Sequence, residues 1–160
     1  MKKLKEPFVI ILVGPPLSGK TTWIKENFPN TGVISRDQII LDLSGLDDYN
    51  QAFKTVNQKN VDRVLNETFI EFNDNKKNAI VDMTHMSSKR RRKNLNYFSD
   101  DYYKLAVVFP ILSNKKYKER NEKRLNEEKK FIPDNVIKQM ISSFVPVSKE
   151  EGFDKIIILK

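Results

Sequence analysis

The chain has 160 residues, 39% of them hydrophobic and 31% charged, which excludes fibrous and largely disordered classes and suits one compact domain with its own core. It has no cysteine, so thiol catalysis, zinc–cysteine sites and disulfide scaffolds are excluded. Its 29 basic and 21 acidic residues give a formal charge of +8, which favours polyanions such as nucleotides or nucleic acid but equally describes a lysine-rich surface.

In chain order, the basic start Met1-Lys2-Lys3-Leu4-Lys5 and the apolar run Phe8–Val13 imitate an export signal. Glu6 and Pro7 interrupt that pattern, and six apolar residues are too few for a signal or a membrane span. A cytoplasmic chain without membrane association is expected, and the Lys, Asn and Ile richness suits an AT-rich genome such as a virus's. Strands are predicted at Phe8–Val13, Gly32–Ser35, Ala79–Asp82, Leu105–Phe109 and Lys155–Leu159. Each is short and apolar on both faces, as in a buried parallel sheet.

Helices are predicted at Lys20–Asn27, Asp37–Leu43, Asn50–Asn73, Ser87–Phe98, Asn114–Lys130 and Asp134–Phe144. The long Asn50–Asn73 stretch places Phe53, Val56, Val61, Val64, Leu65, Phe69 and Phe72 near helical spacing, so one core-packed helix is expected. Ser87-Ser88 can cap one helix; Pro133 and Asp134 suit the first turn and cap of another. The β-α alternation indicates an α/β doubly wound sandwich, with residues 1–160 as a single domain.

The first strand runs straight into Gly14-Pro15-Pro16-Leu17-Ser18-Gly19-Lys20-Thr21, a complete G-x-x-x-x-G-K-[ST] phosphate-binding loop. Gly14 and Gly19 permit a tight turn whose N–H groups point into one concavity. That nest and the following helix N-terminus suit the α- and β-phosphates of ATP. Lys20 brings a positive charge to the β/γ-phosphates, and the Thr21 hydroxyl, next to Thr22, can ligate Mg²⁺. Trp23 reads as packing.

The other strand ends define the acceptor side. In a parallel sheet, Ser35-Arg36-Asp37 and Asp82-Met83-Thr84-His85 open on the same edge as the loop. A carboxylate there can orient an alcohol and take its proton, a role that suits Asp37; both aspartates can equally serve as helix caps. His85, the one histidine, suits a substrate-side or packing position better than a metal site. Arg120 and Arg124, with Lys123 nearby, can cover a transferring phosphoryl group or form an ordinary solvated face. The basic run Lys89–Lys93 can track a nucleic acid backbone or be a solvated surface, while Tyr97, Tyr102 and Tyr103 can stack on bases or pack.

These motifs together resemble the kinase domain of polynucleotide 5′-hydroxyl kinases. The loop through Thr22-Trp23, Ser35-Arg36-Asp37, Asp82-Met83-Thr84, Arg120-Asn121-Glu122-Lys123-Arg124 and Ile132-Pro133 carry the resemblance. The tail from Phe144-Val145-Pro146 to Glu151-Gly152-Phe153-Asp154 is similar to the end of that domain in the eukaryotic kinase/phosphatase form, so the likeness runs over roughly residues 8–159. It implies a P-loop NTPase three-layer sandwich with a five-stranded parallel sheet and a helical lid at about residues 113–145. It also implies ATP and Mg²⁺ as cofactors and a 5′-hydroxyl end of RNA or DNA as acceptor, with no obligate protein partner.

By the same resemblance, Lys20 stabilises the transferred phosphate, Asp37 is the general base, and Arg124, with Arg120, contacts ATP phosphates. Asp82, Thr84, Arg36 and His85 fall on the acceptor side. The sequence departs from the family at His85, where Asn is usual, and at Ile40, where phage kinases carry Arg. These residues also hold no counterpart of a phosphatase domain. A weaker similarity links Asp82-Met83-Thr84 and the region from Val107 onward to the ATPase-like domain of heterogeneous nuclear ribonucleoprotein U. Arg36-Asp37 favours a working kinase; a kinase for a nucleoside, sugar nucleotide or other small molecule, and a non-catalytic RNA-associated ATP binder, stay as alternatives.

Overall fold

The computed structural model describes residues 2–160. Five strands, β1 (Phe8–Val13), β2 (Gly32–Ile34), β3 (Ala79–Val81), β4 (Tyr103–Val108) and β5 (Lys155–Ile158), form one sheet in the order β2-β3-β1-β4-β5. Every pairing is parallel. The helices are α1 (Lys20–Asn27), α2 (Arg36–Ser44), α3 (Tyr49–Thr55), α4 (Gln58–Asp74), α5 (Ser88–Leu95), α6 (Asn114–Glu128) and α7 (Asp134–Ser142), with a short 3₁₀ turn at Lys149–Glu151. Among the described residues, no helix is long and apolar enough to cross a membrane.

The central strand shows why the sandwich has three layers. All six β1 residues are buried, and alternate side chains enter opposite layers. Val9, Ile11 and Val13 join Phe69 of α4, Leu95 of α5, Phe98 and Tyr102. Phe8, Ile10 and Leu12 join Ile24 of α1 and, at the margin, Trp23 and Phe28. Burying each such side chain stabilises the fold by roughly 1.5–3 kcal/mol, so an apolar run without alternation is the expected signature of this position.

The predicted Asn50–Asn73 helix is two helices. Val56 is extended (φ −74°, ψ 150°), and the Asn57 side chain accepts hydrogen bonds from the backbone N–H groups of Lys59 and Asn60. An Asn that satisfies the orphan donors of a new helix competes with continuation of the old one. The break frees α3 to pack beside α2, with Ile40, Ala52 and Val61 as a small core of their own. Phe53, expected in the core, is 49% exposed. A second correction concerns α7: Pro133 precedes its first turn and Asp134 makes no capping bond but pairs with Lys138. Ser87 does cap α5, accepting from Arg90 N–H.

Candidate active site

The phosphate-binding loop joins β1 to α1 at the C-terminal edge of the sheet. Leu17 (φ 68°) and Gly19 (φ 96°) are left-handed, which turns successive N–H groups toward the inside of the loop. Gly14 is required by space: a Cβ there would lie 2.9 Å from both Phe109 Cβ and Ser18 Oγ. Ser18 donates to the Pro15 carbonyl at 2.8 Å and stiffens the turn. Pro16 is half-buried within it, while Thr21 and Thr22 are exposed in the first turn of α1.

Lys20 Nζ donates to the Gly14 carbonyl at 2.9 Å, the Pro15 carbonyl at 2.8 Å and Ser18 Oγ at 3.4 Å. None of the ion pairs among the described residues includes it. Burial therefore lowers its pKa to about 8, with the Asp82 charge working against that fall and the Arg124 charge adding to it. A desolvated ammonium held by two carbonyls and a hydroxyl, with no ion-pair partner among the described residues, fits the phosphates of a nucleotide. Thr21 lines the adjoining cleft and is the hydroxyl suited to Mg²⁺, which keeps several water and phosphate ligands.

That cleft has a volume of about 740 Å³, and Thr21, Asp37, Asp82, Arg124 and Lys130 all line it. Asp37 reaches it because Ser35, not Asp37, caps α2 by accepting from Gln38 N–H, so the aspartate stands in the first turn with its side chain free of capping. Tyr49 OH donates to Asp37 Oδ1 at 2.7 Å, and Lys130 Nζ donates to Oδ2 at 2.6 Å. Burial raises the Asp37 pKa, but the Lys130 ammonium and the Tyr49 hydroxyl outweigh it and leave the carboxyl below its ordinary value. The Asp37 side chain is still 51% exposed, which leaves its open side toward the cleft.

Asp82 follows β3, and burial raises its pKa, with Lys20 opposing and Asp37 reinforcing the rise. The two carboxylates thus have environments that push them apart, one held ionised and one biased toward its proton. Thr84 contributes its carbonyl, which accepts from Gly14 N–H at 2.9 Å and ties the segment after β3 to the loop. From α6, Arg120 donates to the Leu17 carbonyl at 2.6 Å, while Arg124 lines the cleft beside Glu128, its partner at 3.2 Å.

Three sequence expectations are corrected. His85 is fully buried and cannot contact an acceptor: its ring lies 2.8 Å from the Leu12 carbonyl through Nδ1 and 2.8 Å from Asn94 Nδ2 through Nε2. Arg36 points away from the cleft, pairing with Asp62 and donating to Gln58 Oε1 at 2.8 Å. Arg91, within the basic run, is buried in an ion pair with Glu151. Tyr97 stacks on Phe69 and Tyr102 is buried, so both are packing residues. Sequence reasoning missed Tyr49 and Lys130, which lie in no motif; contact with Asp37 depends on the α3–α4 break and on the turn after α6.

The folded chain is similar to a chain of the Pnkp1/Rnl/Hen1 RNA repair complex (22% identity, TM-score 0.69), covering 89% of this chain and 45% of that one. It is also similar to Kti12 of Chaetomium thermophilum in complex with ADP-AlF3 (14%, TM-score 0.61, 94% and 88%) and to a gluconokinase from Sinorhizobium meliloti 1021 (12%, TM-score 0.55, 98% and 83%). The protein thus spans under half the length of the RNA-repair chain. These likenesses establish a P-loop kinase-like α/β fold. Residues 9–147 match the AAA_33 family of AAA domains, and the chain belongs to that family.

Proposed function

We propose that the protein is an ATP- and Mg²⁺-dependent kinase that phosphorylates the 5′-hydroxyl of RNA or DNA. The observation that supports this reading most is a single cleft holding both Thr21 of the phosphate-binding loop and the half-exposed, ionised Asp37. Bound ATP with Mg²⁺ would supply the electrophilic γ-phosphoryl group. Lys20 exchanges its carbonyl partners for phosphate oxygens, and Arg124 adds a second positive charge from the lid. Asp37 accepts a hydrogen bond from the acceptor hydroxyl, aligns that oxygen and receives its proton. Asp82 borders the same cleft and shapes the acceptor side. The exposed cations Lys89, Arg90, Arg92 and Lys93 of α5 begin on the same sheet edge and suit the backbone of an acceptor strand.

A second reading has its own support. Asp47, Glu127 and Glu128 stand at the cleft beside Lys25 and Lys129, and Phe28, Pro29 and Leu41 add apolar wall. A mixed rim of this kind suits a compact, uncharged acceptor such as a nucleoside or sugar. Transfer of label from γ-labelled ATP to 5′-hydroxyl RNA, to DNA and to a nucleoside panel separates the two. Oligonucleotide labelling abolished by Asp37→Asn is expected; labelling of small alcohols alone supports the second reading, and labelling unaffected by Asp37→Asn removes the proposed base.

A further inference from the structure

Lys130 owes its position to three local features. Lys129 takes a left-handed conformation (φ 52°) and ends α6. Asn121 then clamps the following loop, donating to the Ile132 carbonyl at 2.6 Å and accepting from Ile132 N–H at 3.0 Å. The Lys130 side chain, 9% exposed, runs inward with its ammonium 3.9 Å above the Tyr49 ring and 2.6 Å from Asp37 Oδ2. Each Asp37 oxygen therefore carries one donor, from α3 on one side and from the lid loop on the other. A carboxylate offers about four acceptor sites, so both oxygens retain capacity for an alcohol.

We propose that Lys130 is a positioning residue for Asp37: a lid-borne ammonium that pins one carboxylate oxygen while Tyr49 pins the other, coupling the seating of the lid loop to the readiness of Asp37. The inference rests on reading Asp37 as the group that faces the acceptor alcohol. The groups around Asp37 are Lys130 from the lid loop, Arg124 from α6, Tyr49 from α3, Lys20 from α1 and Asp82 from the end of β3. Burial favours its protonation; Lys130 is its direct cationic partner and the first of the opposing influences. Phosphoryl transfer through a loose transition state moves the alcohol's proton late, so an ionised, aligned carboxylate matters more than a strongly basic one. The coupling is reciprocal: a seated Lys130 stabilises the Asp37 carboxylate, and the carboxylate holds the lid loop down by the same free energy.

The test is a carbon-13 NMR titration of the aspartate side chains in the full chain, as wild type, Lys130→Met, Lys130→Arg and Asn121→Ala. Lys130→Met is expected to raise the Asp37 midpoint by about one pH unit or more, Lys130→Arg to restore most of it, and Asn121→Ala to raise it by unseating the loop. Amide exchange at residues 129–132 is expected to accelerate about tenfold or more in Asp37→Asn. An unchanged Asp37 midpoint in folded Lys130→Met overturns the proposal. Should Lys130→Met fail to fold, the Asn121→Ala titration decides in the same way. The titration needs no acceptor, so an inactive kinase assay would sink the functional reading and leave this one to its own result.

Discussion

Arg91 and Glu151, 60 residues apart in the chain, form an ion pair at 2.6 Å in which the two side chains are 0% and 2% exposed. The remaining guanidinium donors reach the carbonyls of His85 (2.9 Å), Met86 (3.2 Å), Val145 (2.9 Å) and Pro146 (3.3 Å). Glu151 in turn accepts from Ser148 N–H at 2.7 Å. One planar fork thus fastens α5, the segment between β3 and α5, and the tail before β5. Arg91→Ala would strand a buried carboxylate and several carbonyls, with an expected loss of about 3–5 kcal/mol in denaturant unfolding. Arg91→Lys should recover little, because an ammonium cannot reproduce the fork. A loss below about 1 kcal/mol for Arg91→Ala would show the pair to be dispensable.

The same residue marks where the sequence stops being readable. Within Lys89–Lys93 all five side chains look alike, and the identity of the buried one is fixed by Glu151, which no local pattern connects to it. The glycine, lysine and threonine of the phosphate-binding loop were legible because that geometry is built from contiguous residues. The inner strands β1, β3 and β4 were legible because burial on both faces leaves continuous apolar runs, and the edge strands β2 and β5 are short apolar runs too although largely exposed or half-buried. The split at Val56-Asn57 had a signal, a capping residue ahead of a new turn, which the apolar spacing masked. Lys130 had none: after Glu127-Glu128-Lys129 it reads as solvated surface, and its partner Asp37 lies 93 positions away.

His85 predicts a pH dependence of stability. It occupies a left-handed conformation (φ 50°), and burial lowers its pKa to about 4. The neutral tautomer with the proton on Nδ1 satisfies both contacts, donating to the Leu12 carbonyl and accepting from Asn94; a second proton on Nε2 would face an amide donor. The unfolded ring, near its ordinary pKa of 6.5, binds a proton where the folded one does not, so stability is full above pH 6.5 and falls as pH drops toward 4. The contribution lost is about 3 kcal/mol. Asn tolerates the left-handed backbone, so His85→Asn should fold and should lose less stability than wild type across that window. Parallel stability curves for the two proteins would refute the assignment.

The exposed cations of α5 predict a length dependence. Lys89, Arg90, Arg92 and Lys93 take part in no ion pair among the described residues, and α5 carries no acidic residue. If a strand leaves the cleft along this helix, replacing the four by Ala should lower kcat/KM for long oligonucleotides more than for dinucleotides. The slope of log(kcat/KM) against log[salt] should also flatten, since fewer counterions are released. An equal effect at all lengths would place the strand elsewhere.

Lys20 is placed so that function and stability oppose each other. Its ammonium is desolvated without a carboxylate partner, so the folded state disfavours the charged form that the unfolded chain carries up to its ordinary pKa of 10.5. Between pH 8 and 10.5 the unfolded state binds more protons, and stability from this group therefore rises with pH across that window. Below pH 8 the cost is present in full. Lys20→Met removes the charge, keeps the stem's packing and leaves the Gly14 and Pro15 carbonyls without their donor, which offsets part of the gain. The expected balance at pH 7 is a protein more stable by about 1 kcal/mol without nucleotide, with turnover reduced by roughly 10²-fold or more. ATP should then raise the melting temperature of wild type and have little effect on the variant, because the anion that justifies the buried charge no longer meets it. A variant that melts lower than wild type without nucleotide, yet gains as much from ATP, would mean that the ammonium serves the loop and not the phosphate.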